Sequence, residues 1–89
     1  MPLYRKKPVE IEAIEWTGKY PELRANYYPP WFNNGIGQGQ LYPRSDGKLI
    51  IDTLEGTIEA DIGDIIIQGV HKEVYPCKPD IFKITYEKI

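Results

Sequence analysis

Leu41 to Gln68 reads LYPRSDGKLIIDTLEGTIEADIGDIIIQ, a series of short apolar runs broken at close intervals by turn residues. Leu41 to Arg44 leads through Ser45-Asp46-Gly47 into a run from Lys48 to Leu54, and Glu55-Gly56 turns the chain into Thr57 to Ala60. Asp-Gly and Glu-Gly pairs between alternating segments are hairpin signals, because glycine accepts the left-handed backbone that tight turns require. Ile62-Gly63-Asp64 then introduces Ile65 to Gln68. That run has no polar phase until its end and suits a strand covered on both faces.

Upstream, Val9 to Trp16 reads VEIEAIEW. Val9, Ile11 and Ala13 share one face in period-two order, and Ile14 and Trp16 take the opposite phase. The slip predicts a β-bulge near Ala13 that turns Trp16 inward. Thr17-Gly18 ends this strand. PELRANYY, Pro21 to Tyr28, fits two helical turns that Pro29-Pro30 stop. Asn33 to Gln40, with glycines in GIGQG, reads as a mobile loop and lacks the strand-to-helix context of a phosphate-binding turn. Downstream, Val74 to Pro76 and Lys83 to Lys88 read as two last strands. Between them CKPDIF makes a corner whose Ile81 and Phe82 plug the core. The expected fold is therefore mainly β (α+β), a compact antiparallel β-roll or partly open small barrel with one short helix.

Residues 1–89 form one domain. Eighty-nine residues at 42% hydrophobic content can fold alone, but a chain this short buries only about 60% of its unfolded surface, so association would stabilise it. A homo-oligomer is expected, with Tyr27, Tyr28, Trp31 or Phe32 at its interface. Cys77 is the only cysteine, which excludes an intrachain disulfide. The basic start carries no apolar run of leader length and no segment has the length of a membrane span, so a cytoplasmic protein without membrane contact is expected. A net charge of −2 argues against general nucleic-acid binding. Between Ser45 and Asp64 six carboxylates face only Lys48 in sequence, the pattern of solvated outer strand faces.

The chemistry-bearing tract is YYPPWFNNGIGQGQ, Tyr27 to Gln40. Four rings beside an amide-rich segment are what a wall and lid for a planar, polar ligand need, since rings supply area and amides supply orientation. The same composition also fits a surface excursion that caps a small core. If it is a pocket, its residues are Tyr28, Trp31, Phe32, Asn33 and Asn34. Arg5, Lys6, Arg44, Lys72 and Lys78 are cations in settings that allow stacking or phosphate contact, and Arg5, Arg44 and Lys78 of these are taken as site residues. His71 is the sole histidine and cannot make a metal site alone. His71 and Cys77 have no recognisable orienting partner for nucleophilic catalysis. No catalytic residues, metal or cofactor are expected, and the balance leans away from an enzyme.

Two segments carry a family resemblance: YRKKPVEIEAIEWTG, Tyr4 to Gly18, and IGDIIIQGVHKEVYPCKPDIFKITYE, Ile62 to Glu87. Both resemble the ends of a family of small tailed-phage proteins called PGDYG proteins. The naming motif falls at Ile62 to Ile66, where the chain reads IGDII and keeps Gly63 and Asp64. The resemblance covers about half the chain, omits the aromatic tract, and implies a phage-encoded protein acting in the host cytoplasm. By analogy of size and pocket composition, the expected function is sequestration of a nucleotide-derived signal of host immunity, such as a cyclic ADP-ribose-like molecule. The alternative is an interaction module that inhibits a host enzyme or serves phage assembly, anchored by Trp31 and Phe32.

Overall fold

The structure, a computed structural model, describes residues 2–4, 9–20, 22 and 26–89. Arg5 and most of the expected helix over Pro21 to Tyr28 lie outside the described residues; Asn26 and Tyr27 are in a turn. The elements are β1 (Glu12–Glu15), α1 (Pro30–Gly37), β2 (Leu41–Pro43), β3 (Leu49–Thr53), β4 (Gly56–Ala60), β5 (Ile65–Gln68), β6 (Val74–Cys77) and α2 (Pro79–Thr85). Among the described residues they make two three-stranded antiparallel sheets, β1-β5-β6 and β2-β3-β4. The protein is mainly β, as its alternating pattern dictates, with no closed barrel. Among the described residues it has two short helices, neither of them the one the sequence predicts.

Alternation sets the inward face of the second sheet. Leu41 pairs with Ile51 and Leu49 with Ala60, and all four are buried. In β5, consecutive Ile66 and Ile67 point to opposite faces yet are both buried, as expected for a strand covered on both sides. Trp16, Tyr28, Phe32, Leu41, Leu49 and Ile66 belong to one core cluster.

Trp16 is 1% exposed, but the bulge that turns the chain there is not near Ala13. Pairing from Glu12 to Glu15 with β5 is unbroken. The irregularity lies on the partner strand, where Gly63 donates to the Trp16 carbonyl at 2.7 Å and Trp16 donates to the Asp64 carbonyl at 2.8 Å. Two residues thus face one, and Gly63 at φ 97° supplies the left-handed conformation of a glycine-type bulge.

The segment from Asn33 to Gln40, expected as a loop, is helical over its first half, since α1 spans Pro30–Gly37. The Pro29-Pro30 pair read as a helix stop is in fact a helix start, because Pro30 occupies the first turn, where a missing N–H costs nothing. Each helical glycine disfavours the helix by about 1 kcal/mol relative to alanine. Burial of Phe32, 0% exposed, outweighs that. Gly35 is required by contact, because a Cβ there would stand 2.9 Å from Leu41 Cδ1.

A further correction falls at the C-terminal end. Residues Lys83 to Lys88 do not form a strand, because Pro79 and Asp80 open a helix whose last turn carries Lys83. Ile81 is 54% exposed and does not plug the core. Phe82 is half-buried and stacks on Tyr86 with centroids 5.0 Å apart. Burial, and then its interaction with the Tyr86 phenol, pushes the Tyr75 phenol up to about 12.

Candidate functional site

The aromatic tract divides between core and cleft. Tyr28 and Phe32 are stacked with centroids 4.4 Å apart, and both lie within 6.0 Å of the Trp16 ring. The Tyr28 hydroxyl accepts from the Thr17 backbone N–H at 3.2 Å and pairs with the Thr17 hydroxyl at 2.7 Å. Asn33 is equally engaged: its Nδ2 donates to the Tyr28 carbonyl and its Oδ1 accepts from the Tyr20 hydroxyl. These three residues lock α1 onto the core, and the core side of the tract offers no open wall.

Trp31 and Asn34, one residue further round α1, face elsewhere. They line a cleft of about 620 Å³ between α1 and the end of the first sheet. Its floor is a cross-strand row, Glu12 opposite Gln68 and Gln68 opposite Val74, which puts three side chains on one face. Gln38, one helical turn beyond Asn34, and Gln40 complete an amide rim. Among the described residues the side-chain amides of Asn34, Gln38 and Gln68 hold no hydrogen bond within the protein, so they are available to a ligand. The Trp31 indole Nε1 is buried and has no acceptor among the described residues. A buried donor without a partner costs about 1–3 kcal/mol, and the residue that carries it is one of those lining the cleft.

The cation of this cleft is Lys72, which has no ion pair among the described residues. Its backbone is unusual. The β5–β6 hairpin closes with Gly69 N–H on the Glu73 carbonyl and Lys72 N–H on the Gly69 carbonyl. The β2–β3 hairpin closes the same way, with Arg44 N–H on Lys48 and Gly47 N–H on Arg44. The equivalent positions are Gly47 at φ 95° and Lys72 at φ 64°. A residue bearing a side chain is disfavoured in that left-handed position by roughly 1–2 kcal/mol, so the sequence keeps a lysine where glycine would fit without strain.

Arg44 and Lys78 are not at the cleft. They belong to an alternating ladder, Asp46–Arg44–Glu59–Lys48–Asp61–Lys78–Asp64, with N–O distances from 2.7 to 3.5 Å. The hydrogen bond from Arg44, then that from the Lys48 backbone, lowers Asp46 to about 2. Hydrogen bonds from Lys78 and Lys48 lower Asp61, and the same contacts raise both lysines. Asp64, 5% exposed, also accepts from the Asp61 backbone N–H and so fixes the turn before β5. Every cation of the ladder is matched by carboxylate, which leaves it poorly suited to meet phosphate.

Of the residues read from sequence, the structure therefore brings Trp31 and Asn34 to one cleft, puts Tyr28, Phe32 and Asn33 behind them, and sets Arg44 and Lys78 apart. Lys72, one of the cations read from sequence but not taken as a site residue, joins the site, as do Gln38 and Gln68, which do not stand out in the sequence. Gln38 follows from helical spacing once α1 is recognised. Gln68 arrives through strand pairing and leaves no local signal, and Lys72 is placed by the β5–β6 turn. A larger groove, about 720 Å³, runs between residues 9–15 and the C-terminal segment, but its four carboxylates, Glu10, Glu12, Glu15 and Glu87, outnumber its one cation, Lys88, and disfavour an anionic ligand more than the single Glu12 of the Trp31 cleft does. Among the described residues no His, Cys, Asp and Glu group could hold a metal ion, and no helix is long and apolar enough to cross a membrane. No protein-family model matches the chain, and no curated protein or solved structure matches it significantly.

Proposed function

We propose that this is a binding protein that holds a planar, polar, nucleotide-derived small molecule in the cleft between α1 and the Glu12–Gln68–Val74 row. The observation that carries the reading is that Trp31, whose indole N–H is buried without a partner, lines one cleft with Asn34, Gln38 and Gln68. A nucleobase presents donors and acceptors along one planar edge, and side-chain amides can match such an edge in pairs. Lys72 supplies the charge for an attached phosphate. The phage resemblance supplies the setting: sequestration of a nucleotide signal of host immunity in the host cytoplasm. Calorimetric titration with AMP tests the binding. Saturable heat that Trp31→Ala removes supports it, and the absence of heat at millimolar AMP overturns it.

One observation favours a second reading, an interaction module or self-association. Among the described residues α2 buries no side chain, and it leaves Ile81 and Ile84 exposed, with Ile89 beyond them. Phe32 takes no part in such an interface, being 0% exposed. The interface expected from the aromatic tract moves to this helix, and Ile84→Glu disrupting a complex or oligomer measured by light scattering is its test.

A further inference from the structure

The Trp31 cleft does not end at Lys72. A second cavity, also about 620 Å³, lies on the other side of the β5–β6 hairpin, and the two share Gln40, Lys72 and Val74 as common wall. Its far end is built from Leu54 and Ile58 of the β3–β4 hairpin with His71 and Tyr75. Each volume lies in the range of a small-ligand site. The charges are arranged unevenly. Lys72 is the cation common to both cavities; the first holds one carboxylate, Glu12, and the second holds three, Asp52, Glu55 and Glu73, whose Oε2 accepts from the His71 backbone N–H. An anionic group is favoured at the shared wall and disfavoured at the far end, where carboxylates suit hydroxyl or amino donors.

We propose that the ligand is two-part: two nucleoside-like ends joined by an anionic phosphate link, with the link at Lys72, one end in the Trp31 cleft and the other against Leu54 and Ile58. The proposal rests on the small-molecule reading of the Trp31 cleft and deepens it to the dinucleotide class. The left-handed lysine is consistent with this division, because it sets a flexible cation at the saddle between the cavities where glycine would close the hairpin without one. A single ring system fills one cavity only. A nucleoside triphosphate extends its charge into the carboxylates.

The test is calorimetric titration of the full chain with AMP, ATP and diadenosine diphosphate as probes. Diadenosine diphosphate is expected to bind one per chain and at least tenfold more tightly than AMP, with ATP no tighter than AMP. Leu54→Asp changes a fully exposed residue and leaves the fold intact; it is expected to lower diadenosine diphosphate affinity to that of AMP without altering AMP binding. Lys72→Asn, whose side chain tolerates the left-handed backbone, is expected to reduce the salt dependence of binding. Equal affinity for AMP and diadenosine diphosphate, or indifference to Leu54→Asp, overturns the two-part ligand and leaves the Trp31 cleft standing. Binding of none of the three probes overturns both.

Discussion

The indole N–H of Trp16 donates to the carbonyl oxygen of Gly47 at 2.8 Å, joining the end of β1 in one sheet to the β2–β3 hairpin of the other. The same indole stacks near the Phe32 ring of α1, with centroids 6.0 Å apart. Trp16 is therefore both a large core side chain and a polar tie between the sheets. Trp16→Ala is expected to destabilise by about 3–5 kcal/mol, as truncations of large buried aromatics do. Trp16→Phe restores part of the area but not the bond. Urea denaturation of the two variants checks this, and an unchanged midpoint for the alanine variant would remove the inward assignment.

Tyr28 tests how much of the aromatic tract is structural. Its ring stacks on Phe32 and its hydroxyl engages Thr17, so Tyr28→Phe is expected to cost about 0.5–1.5 kcal/mol through the hydrogen bonds alone. Trp31→Ala, by contrast, removes a half-buried ring with an unpartnered donor and is expected to cost less than Trp16→Ala. Chemical denaturation of all three variants orders them, and a Trp31 cost equal to that of Trp16 would place Trp31 in the core.

The charge ladder predicts a stability plateau. Asp46 is lowered to about 2 and Asp61 is also lowered, so their contribution is present above their unfolded value near 3.8 and is lost as pH falls through the folded values. Lys48 and Lys78 are raised, so their contribution is full below 10.5 and is lost as pH rises through the folded values. The melting temperature is expected to fall at both ends, and salt at about 1 M should flatten the profile because the pairs are largely exposed. Lys78→Met, which removes the first cause of the lowering of Asp61, should flatten the acid side. A profile unchanged by this variant would deny the ladder a role.

Lys72→Gly removes a side chain from a left-handed position at φ 64°. Relief of roughly 1–2 kcal/mol of strain opposes the entropy cost of adding a glycine, so stability is expected to hold or rise while nucleotide affinity falls. Thermal melts with and without AMP check both halves at once. Lower stability in the absence of ligand would show that the lysine supports the hairpin itself.

Much of the fold is legible in the sequence because it rests on local rules. Gly47, Gly56 and Gly63 sit where turns need positive φ, and the alternation from Leu41 to Ala60 puts Leu41, Leu49 and Ile51 inward. The helices escape such a reading because their determinants are not local. Propensity opposes a helix through Gly35 and Gly37, and only the contact with Leu41 explains Gly35. The Pro-Asp opening of α2 looks like a corner because proline begins helices as readily as it ends them. The site is half legible: Trp31 and Asn34 stand out by type, whereas Gln68 joins them through pairing with Glu12 and Val74, a long-range relationship in the case of Glu12 that no short window of sequence contains.

In the proposed binding role two indoles divide the work of this chain, Trp31 for the ligand and Trp16, bonded to Gly47, for the structure. Two-dimensional ¹H–¹⁵N spectra display both indole N–H groups, and Trp31→Phe assigns them. On titration with diadenosine diphosphate and, separately, AMP, the Trp31 resonance is expected to move saturably as its buried donor gains an acceptor, while the Trp16 resonance, already bonded to Gly47, stays in place. A Trp31 resonance that does not move at millimolar concentrations of either probe contradicts the account.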